Sequence, residues 1–325
     1  MCGRYANSRR PEDLVEEFEV DRTAGPAPGQ DPAGARPDFN VAPTRPALVV
    51  LTRRVRPDPD APDPDAPDAD ASVAETSAAA EPEDPQVAAD DDGEPTADAA
   101  LEAAEAVPGP AAPAERLLRR LTWGLVPSWA KEKSVGSRMI NARAESLLDK
   151  PAYRRAALSR RCLVPADGWY EWQKSPTERD AKGKPRKQPF WIHPGVDRPI
   201  AFAGIYEFWR DRDKEGDDAW LTTFAIVTTK AEPGLDVVHD RMPFVVPEDR
   251  WADWLDPGLT DPDAVRALLQ PPVPGRFLAT PVSMRVNAVS NNGPELLESV
   301  PVDQLRGVVD PATGELVGAG EAPLF

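Results

Sequence analysis

Residues 57–115, beginning PDPDAPDPDAPDADAS, cannot join any packed core. They carry eighteen Asp and Glu and eleven Pro, with no Lys, Arg or aromatic residue. A segment this charged and this poor in large apolar groups buries too little surface to offset the entropy of ordering. It is therefore expected to be a disordered acidic insert. Its plainest role is a solvated, self-repelling loop. The alternative is an acidic mimic of DNA that competes for a basic groove on the same protein. The formal charge of −17 on all 325 residues is thus a local property. Without the insert's eighteen negative charges the rest of the chain stands at +1, so charge gives no argument against a nucleic-acid partner.

The remaining residues, about 265, suffice for one domain with a substantial core. The expected organisation is a single domain made of residues 2–56 and 116–310, with residues 311–325 as a flexible tail. No stretch is apolar for long enough to span a bilayer, and the first residues lack the apolar region of a signal peptide. Cytoplasmic residence is expected, at the nucleoid when bound to DNA. In that compartment Cys2 and Cys162 stay unpaired. Two cysteines and two histidines this far apart match no zinc-ligand spacing, so neither metal nor cofactor is expected, nor a membrane partner.

PALVVLTRRV before the insert and ERLLRRLTWGLVPSWA after it both have strand character, which predicts a hairpin with an expanded tip. Growing such a tip to about 60 residues costs only roughly 2 kcal/mol of closure entropy. The runs RRCLVPADGWYEW, QPFWIHPG, RPIAFAGIYEFW, LTTFAIVTT, MPFVVP and TPVSMRVNAV are β-branched or aromatic and bounded by Pro, Gly or Asp. They predict further strands, mostly antiparallel. PEDLVEEFEV, PEDRWADWL and DPDAVRALLQ read as short helices with Pro at the first helical position, and RAESLLDKPAYRRAAL as two helices broken at Pro151. The fold class is α+β: a mainly antiparallel β barrel or sandwich with a few short flanking helices.

Cys2 has one property no interior cysteine has. Once Met1 is removed, a free α-amine and a thiol sit on adjacent carbons of one residue. Acid/base groups are scarce. His193 stands where a strand meets a Pro-Gly turn and reads as a surface residue. His239 lies beside Asp240 and Arg241, which can set its tautomer and charge. Alternation along GWYEW puts Trp169 and Glu171 on one face, Tyr170 and Trp172 on the other. A carboxyl flanked by aromatics has a raised proton affinity, although an exposed strand glutamate is the plainer reading of Glu171 alone. Asn141, Arg143 and Glu145 of SRMINARAES fall at a strand-to-helix junction, where an amide can orient a carbonyl or cap a helix.

The motifs MCGRYA, NVAPT, WGLVPSW, INARAE, RCLVPADGWYEW, FAGIYEFW and VHDRMP, in this order, resemble those of the SRAP family, the SOS-response-associated peptidases or abasic-site processing proteins. The resemblance covers residues 2–292 apart from the insert. It implies removal of Met1 and crosslinking of the N-terminal cysteine to abasic sites in single-stranded DNA, the implied partner, by a monomer. It also places Cys2, Asn141, Glu171 and His239 on active-site positions. The implied roles are the nucleophiles from Cys2, alignment by Asn141, proton relay by Glu171, and sugar ring opening by His239.

Arg4, Arg143 and Arg241 are expected to hold phosphates, with internal ion pairing as the alternative. Asn40, Pro43, Trp123, Trp129 and Thr228 are expected to line a DNA groove, the tryptophans as stacking surfaces. Two departures accompany the resemblance: Ala130 stands where many relatives carry an aromatic, and Met242 where some carry a second basic residue. Two other functions stay open at this point, a thiol peptidase that removes Met1 or acts on another protein, and a non-covalent single-strand binding module.

Overall fold

The computed structural model describes residues 2–23, 36–54, 114–305 and 307–317. The expected insert lies outside the described residues except for Ala114 and Glu115, which open a strand. From the N-terminus, β1 (Tyr5–Asn7) leads into α1 (Pro11–Glu17). Pro11 needs no donor there, and Glu12 and Asp13 face the positive end of the helix dipole. Two short strands follow, β2 (Arg22–Thr23) and β3 (Asp38–Val41). Next come β4 (Pro46–Arg54) and β5 (Ala114–Trp123), the two runs flanking the insert. They pair antiparallel from Pro46 opposite Thr122 to Arg54 opposite Ala114, so the hairpin is present and the long segment leaves from its tip.

Beyond it lie β6 (Asn141–Arg143), α2 (Pro151–Ser159), β7 (Arg161–Ala166), β8 (Gly168–Arg179), β9 (Pro185–His193), β10 (Ile200–Arg210) and β11 (Trp220–Lys230). The chain ends through β12 (Arg241–Pro243), β13 (Val245–Val246), α3 (Trp251–Leu255), α4 (Pro262–Leu268), β14 (Leu278–Pro281), β15 (Val308–Val309) and β16 (Leu316–Val317). The last of these falls inside the stretch expected to be a tail, and pairs with β15.

Strands run β11-β10-β7-β4-β5, and β5 returns to pair in parallel with β11 through Thr122 and Trp123 opposite Thr223 and Phe224. That contact closes a five-stranded barrel and removes its open edges. The fold class is the expected one, but the pairing is mixed: β6 on β11 and β2 on β5 are also parallel.

Alternation along β4 explains the layering. Val49 and Leu51 pack with Leu121, Trp123, Val164, Phe202 and Phe224. Val50 points the other way, with Leu118, Leu163, Ala203 and Ala225, under Leu14 of α1, Ala156 and Ala157 of α2, Trp254 of α3 and Val265 of α4. Alanines on this outer face let the helices sit close.

A second sheet, β14-β9-β8-β1-β3, positions the N-terminus. Tyr5 lies opposite Val41 on one side and Trp169 on the other. Its ring meets Trp123 at 5.3 Å and Phe202 at 5.8 Å between centroids. Gly168 is required for this: a Cβ there would collide with the Ile192 carbonyl and the Trp191 ring.

TPVSMRVNAV departs from its expected strand. β14 stops at Pro281, and Met284–Asn287 is a single 3-10 turn whose Arg285 N–H donates to the Ser283 hydroxyl. A hydroxyl that caps locally competes with strand pairing.

Candidate active site

The four residues expected to carry chemistry come from four separate segments. Beyond Tyr5 the β1–β8 pairing continues, with the Tyr170 N–H donating to the Arg4 carbonyl at 2.9 Å. Two residues further back, the Asn141 Nδ2 donates to the Cys2 carbonyl at 2.7 Å. The start of the described chain is thus held from both sides.

Asn141 is itself fixed. The carbonyl of Ile140 accepts from the Trp123 Nε1 at 2.8 Å and from the Ile226 N–H at 3.1 Å, and the Asn141 carbonyl accepts from the Tyr153 hydroxyl at 3.3 Å. Its side-chain Oδ1 is buried and has no hydrogen-bond partner among the described residues. An amide with one N–H on the Cys2 carbonyl and an open acceptor is set to receive an N–H or O–H from a ligand.

The Cys2 thiol is fully buried, with its Sγ 4.0 Å from the Arg4 carbonyl. Burial, and then the negative charge of Glu171, push its pKa far above the ordinary thiol value, so it is a protonated thiol at neutral pH. Glu171 is 3% exposed, not the exposed strand glutamate that its sequence taken alone suggests. Its pKa is pushed up to about 7, first by burial, with the Asp240 carboxylate adding to the effect. Near neutrality it exists as both acid and base.

His239 follows the one-turn helix Leu235–Val237 and is half-buried. Its Nδ1 accepts from the Arg241 N–H at 3.0 Å, which leaves the proton on Nε2. Asp240 Oδ1 lies 2.9 Å from the same nitrogen and would pair only with a protonated ring. Burial outweighs it and lowers the pKa, with a smaller contribution from Lys174.

The residues expected to bind DNA divide sharply. Trp129 is 65% exposed, whereas Trp123 is 0% exposed, its ring against Tyr5 and Phe224. The stacking role expected of Trp123 is therefore corrected: it has no free face and serves to anchor Ile140. Ala130 is buried, and its carbonyl accepts from the Trp209 Nε1 at 2.6 Å. Arg4 donates to Asn40 Oδ1 at 2.7 Å and to the Val286 carbonyl at 2.8 Å. The Asn40 Nδ2 donates to the carbonyls of Val286, Ala288 and Asn291. Both side chains pin the 286–291 loop, a role invisible while that stretch reads as a strand.

Arg241 forms a two-pronged pair with Glu145 at 2.8 and 2.9 Å and donates to the carbonyl of the buried Thr228. Internal pairing, the alternative reading, is what this residue does, and the pair lowers the Glu145 pKa. Arg143 differs: it is exposed, and its side chain makes no hydrogen bond or ion pair with another described residue. Pro43 is half-buried on the turn between β3 and β4. Among the described residues no helix is long and apolar enough to cross a membrane.

Comparison with known proteins identifies the family. Residues 1–289 match the profile of the family described as SOS response associated peptidase (SRAP). The chain is 43% identical over 182 residues to the abasic site processing protein YoqW of Bacillus subtilis, covering 56% of this chain and 76% of that one. It is 33% identical over 212 residues to the abasic site processing protein HMCES of Gallus gallus, covering 58% and 59%. Among solved structures, a phage-related protein from Bordetella bronchiseptica superposes with a TM-score of 0.50 at 27% identity, over 86% of this chain and 94% of that one.

Proposed function

The chain belongs to the SRAP family, and from that premise we propose that it processes abasic sites in single-stranded DNA by bonding covalently to them through Cys2. An abasic deoxyribose opens to a C1′ aldehyde. With Met1 removed, the Cys2 α-amine attacks that carbon, and the carbinolamine loses water to give an imine. The thiol S–H then adds across the C=N bond, sulfur to carbon and hydrogen to nitrogen, closing a thiazolidine ring.

An α-amine has a reference pKa near 7.7–8.0, against about 10.4 for lysine, so about one in ten is neutral and nucleophilic near pH 7. Glu171, titrating at about 7, suits the proton transfers that dehydration and ring closure need. Asn141 holds the residue through its carbonyl, and its open Oδ1 can take an N–H of the attacking amine. His239, with Nε2 carrying the proton, suits donation to the sugar ring oxygen.

The observation that carries this reading is the setting of Cys2: its carbonyl is held by the Asn141 amide at 2.7 Å, and its thiol is fully buried, which together with the nearby Glu171 carboxyl favours the protonated form. A cysteine peptidase needs the opposite, a thiolate with a lowered pKa, whereas an amine-first route needs only a thiol that adds late. Incubation with an abasic single-stranded oligonucleotide should give an adduct that survives denaturing electrophoresis and maps by mass spectrometry to Cys2 lacking Met1. An N-terminal extension that cannot be cleaved should leave folding and DNA binding intact and abolish the adduct. An adduct formed by the extended protein would overturn the proposal.

A further inference from the structure

A donor and an acceptor compete for one ring nitrogen of His239. Its Nδ1 accepts from the Arg241 N–H at 3.0 Å and lies 2.9 Å from Asp240 Oδ1. In the neutral ring, whose proton is on Nε2, the Nδ1 lone pair suits the amide and is repelled by the carboxylate. A ring protonated at Nδ1 reverses this: it donates to Asp240 and gives up the amide. The surroundings of this nitrogen thus fit two protonation states of one imidazole.

Asp240 has no competing use. Its backbone is fixed, the carbonyl accepting from the Ala231 N–H at 3.0 Å. Its carboxylate is 85% exposed and, among the described residues, pairs with nothing but His239. The neighbouring Arg241 guanidinium is taken up by Glu145. Burial lowers the proton affinity of His239, the amino end of the chain and Lys174 add to that, and Asp240 acts against them. Asp240 also adds to the burial that raises the proton affinity of Glu171. One carboxylate therefore favours the protonated form of both groups assigned to move protons.

Opening the abasic sugar is an isomerisation. The C1′–O4′ bond breaks, O4′ gains a proton, and the C1′ hydroxyl loses its own to solvent as the carbonyl forms. A neutral imidazole that gives up its Nε2 proton is left as an anion, which makes it a very weak acid. An imidazolium is left neutral, and its reference pKa of about 6.5 suits donation near neutrality. Donation from Nε2 thus needs a second proton on Nδ1.

We propose that Asp240 is the positioning residue for this step, accepting from Nδ1–H of His239 and holding the ring as the imidazolium that protonates O4′. The inference deepens the role given to His239 in the crosslinking reading and rests on it. After the transfer Nδ1 keeps its proton on Asp240, and solvent restores the one lost from Nε2.

The test compares wild type, D240N and D240E on two single-stranded oligonucleotides. One carries an ordinary abasic deoxyribose, the other an acyclic linker ending in an aldehyde, which needs no opening. D240N should slow adduct formation on the closed sugar about fivefold, the upper range for an exposed charge pair, with oligonucleotide binding unchanged, and D240E should restore most of the rate. On the acyclic aldehyde all three proteins should agree within about twofold. Ring-nitrogen NMR of the full chain, with H239Q to assign the signals, should place the His239 titration midpoint at lower pH in D240N than in wild type. Equal rates for wild type and D240N on the closed sugar, or an unmoved midpoint, overturn the proposal. An equal loss on both oligonucleotides also overturns it, because the effect then lies with Glu171 or with the fold. Wild-type protein that forms no adduct with either oligonucleotide defeats the crosslinking reading, and this inference with it.

Discussion

Cys2 and Cys162 are alike by the measures most often applied to a thiol. Both are free, both fully buried, and both have pKa values raised far above the ordinary range. Their surroundings differ. Cys162 sits in β7 of the barrel wall, within the hydrophobic core, where burial alone accounts for its shift. Cys2 sits at the end of the chain, with the Asn141 amide on its carbonyl and the Glu171 carboxyl acting on its sulfur. Burial does not separate the cysteine proposed to react from the one that only packs. The polar groups placed to move protons do.

The bluntest way to break this contrast is to remove each sulfur. Cys2→Ala should abolish the denaturation-resistant adduct, and Cys162→Ala should retain it, both read on the same gel. An adduct lost with Cys162 would mean that the contrast is false.

Glu171→Gln makes the setting of Cys2 more like that of Cys162. The rate of adduct formation should fall about 10²- to 10⁴-fold, and the inflection near pH 7 should leave the pH–rate profile. The same variant should change stability. In the folded protein Glu171 binds its proton more tightly than in the unfolded chain, so its stabilising contribution is full below about pH 4 and is lost as pH rises through 7. Glu171→Gln should therefore gain on wild type by on the order of 3 kcal/mol at pH 8 and little at pH 4, as measured by urea unfolding at both.

Asn141→Ala removes one charge-free hydrogen bond to Cys2, worth about 1 kcal/mol, and should slow adduct formation by roughly fivefold. The smallest effect on the adduct belongs to the barrel wall: Cys162→Ala should leave its rate unmoved and cost about 1–2 kcal/mol of stability through the small cavity left behind, seen as an earlier unfolding midpoint.

What the residues reveal before folding follows the range of the interactions. The β4–β5 hairpin, the helices opened by Pro11, Pro151 and Pro262, and the alternation of Val49, Val50 and Leu51 are local, and each is legible in a few letters. Parallel closure of the barrel by Thr122 and Thr223 joins segments about a hundred residues apart, and no local pattern announces it. The site divides the same way. The buried side of GWYEW follows from alternation, but Trp123 and Trp129, six residues apart in one motif, take opposite fates that depend on Tyr5 and Phe224 arriving from elsewhere. Arg241 looks ready for phosphate until Glu145 is found across from it.

One feature of the barrel has a practical meaning for anyone who would handle this protein. If the chemistry needs a bare N-terminus, that end is closed to fusion. Arg54 and Ala114 are the last paired residues of a hairpin that already tolerates a long excursion between them. A fluorophore, an affinity handle or a photocrosslinker placed in that excursion leaves the chain through a ladder that stays zipped to its final rung. The molecule thus offers a built-in attachment port, reached without touching Cys2.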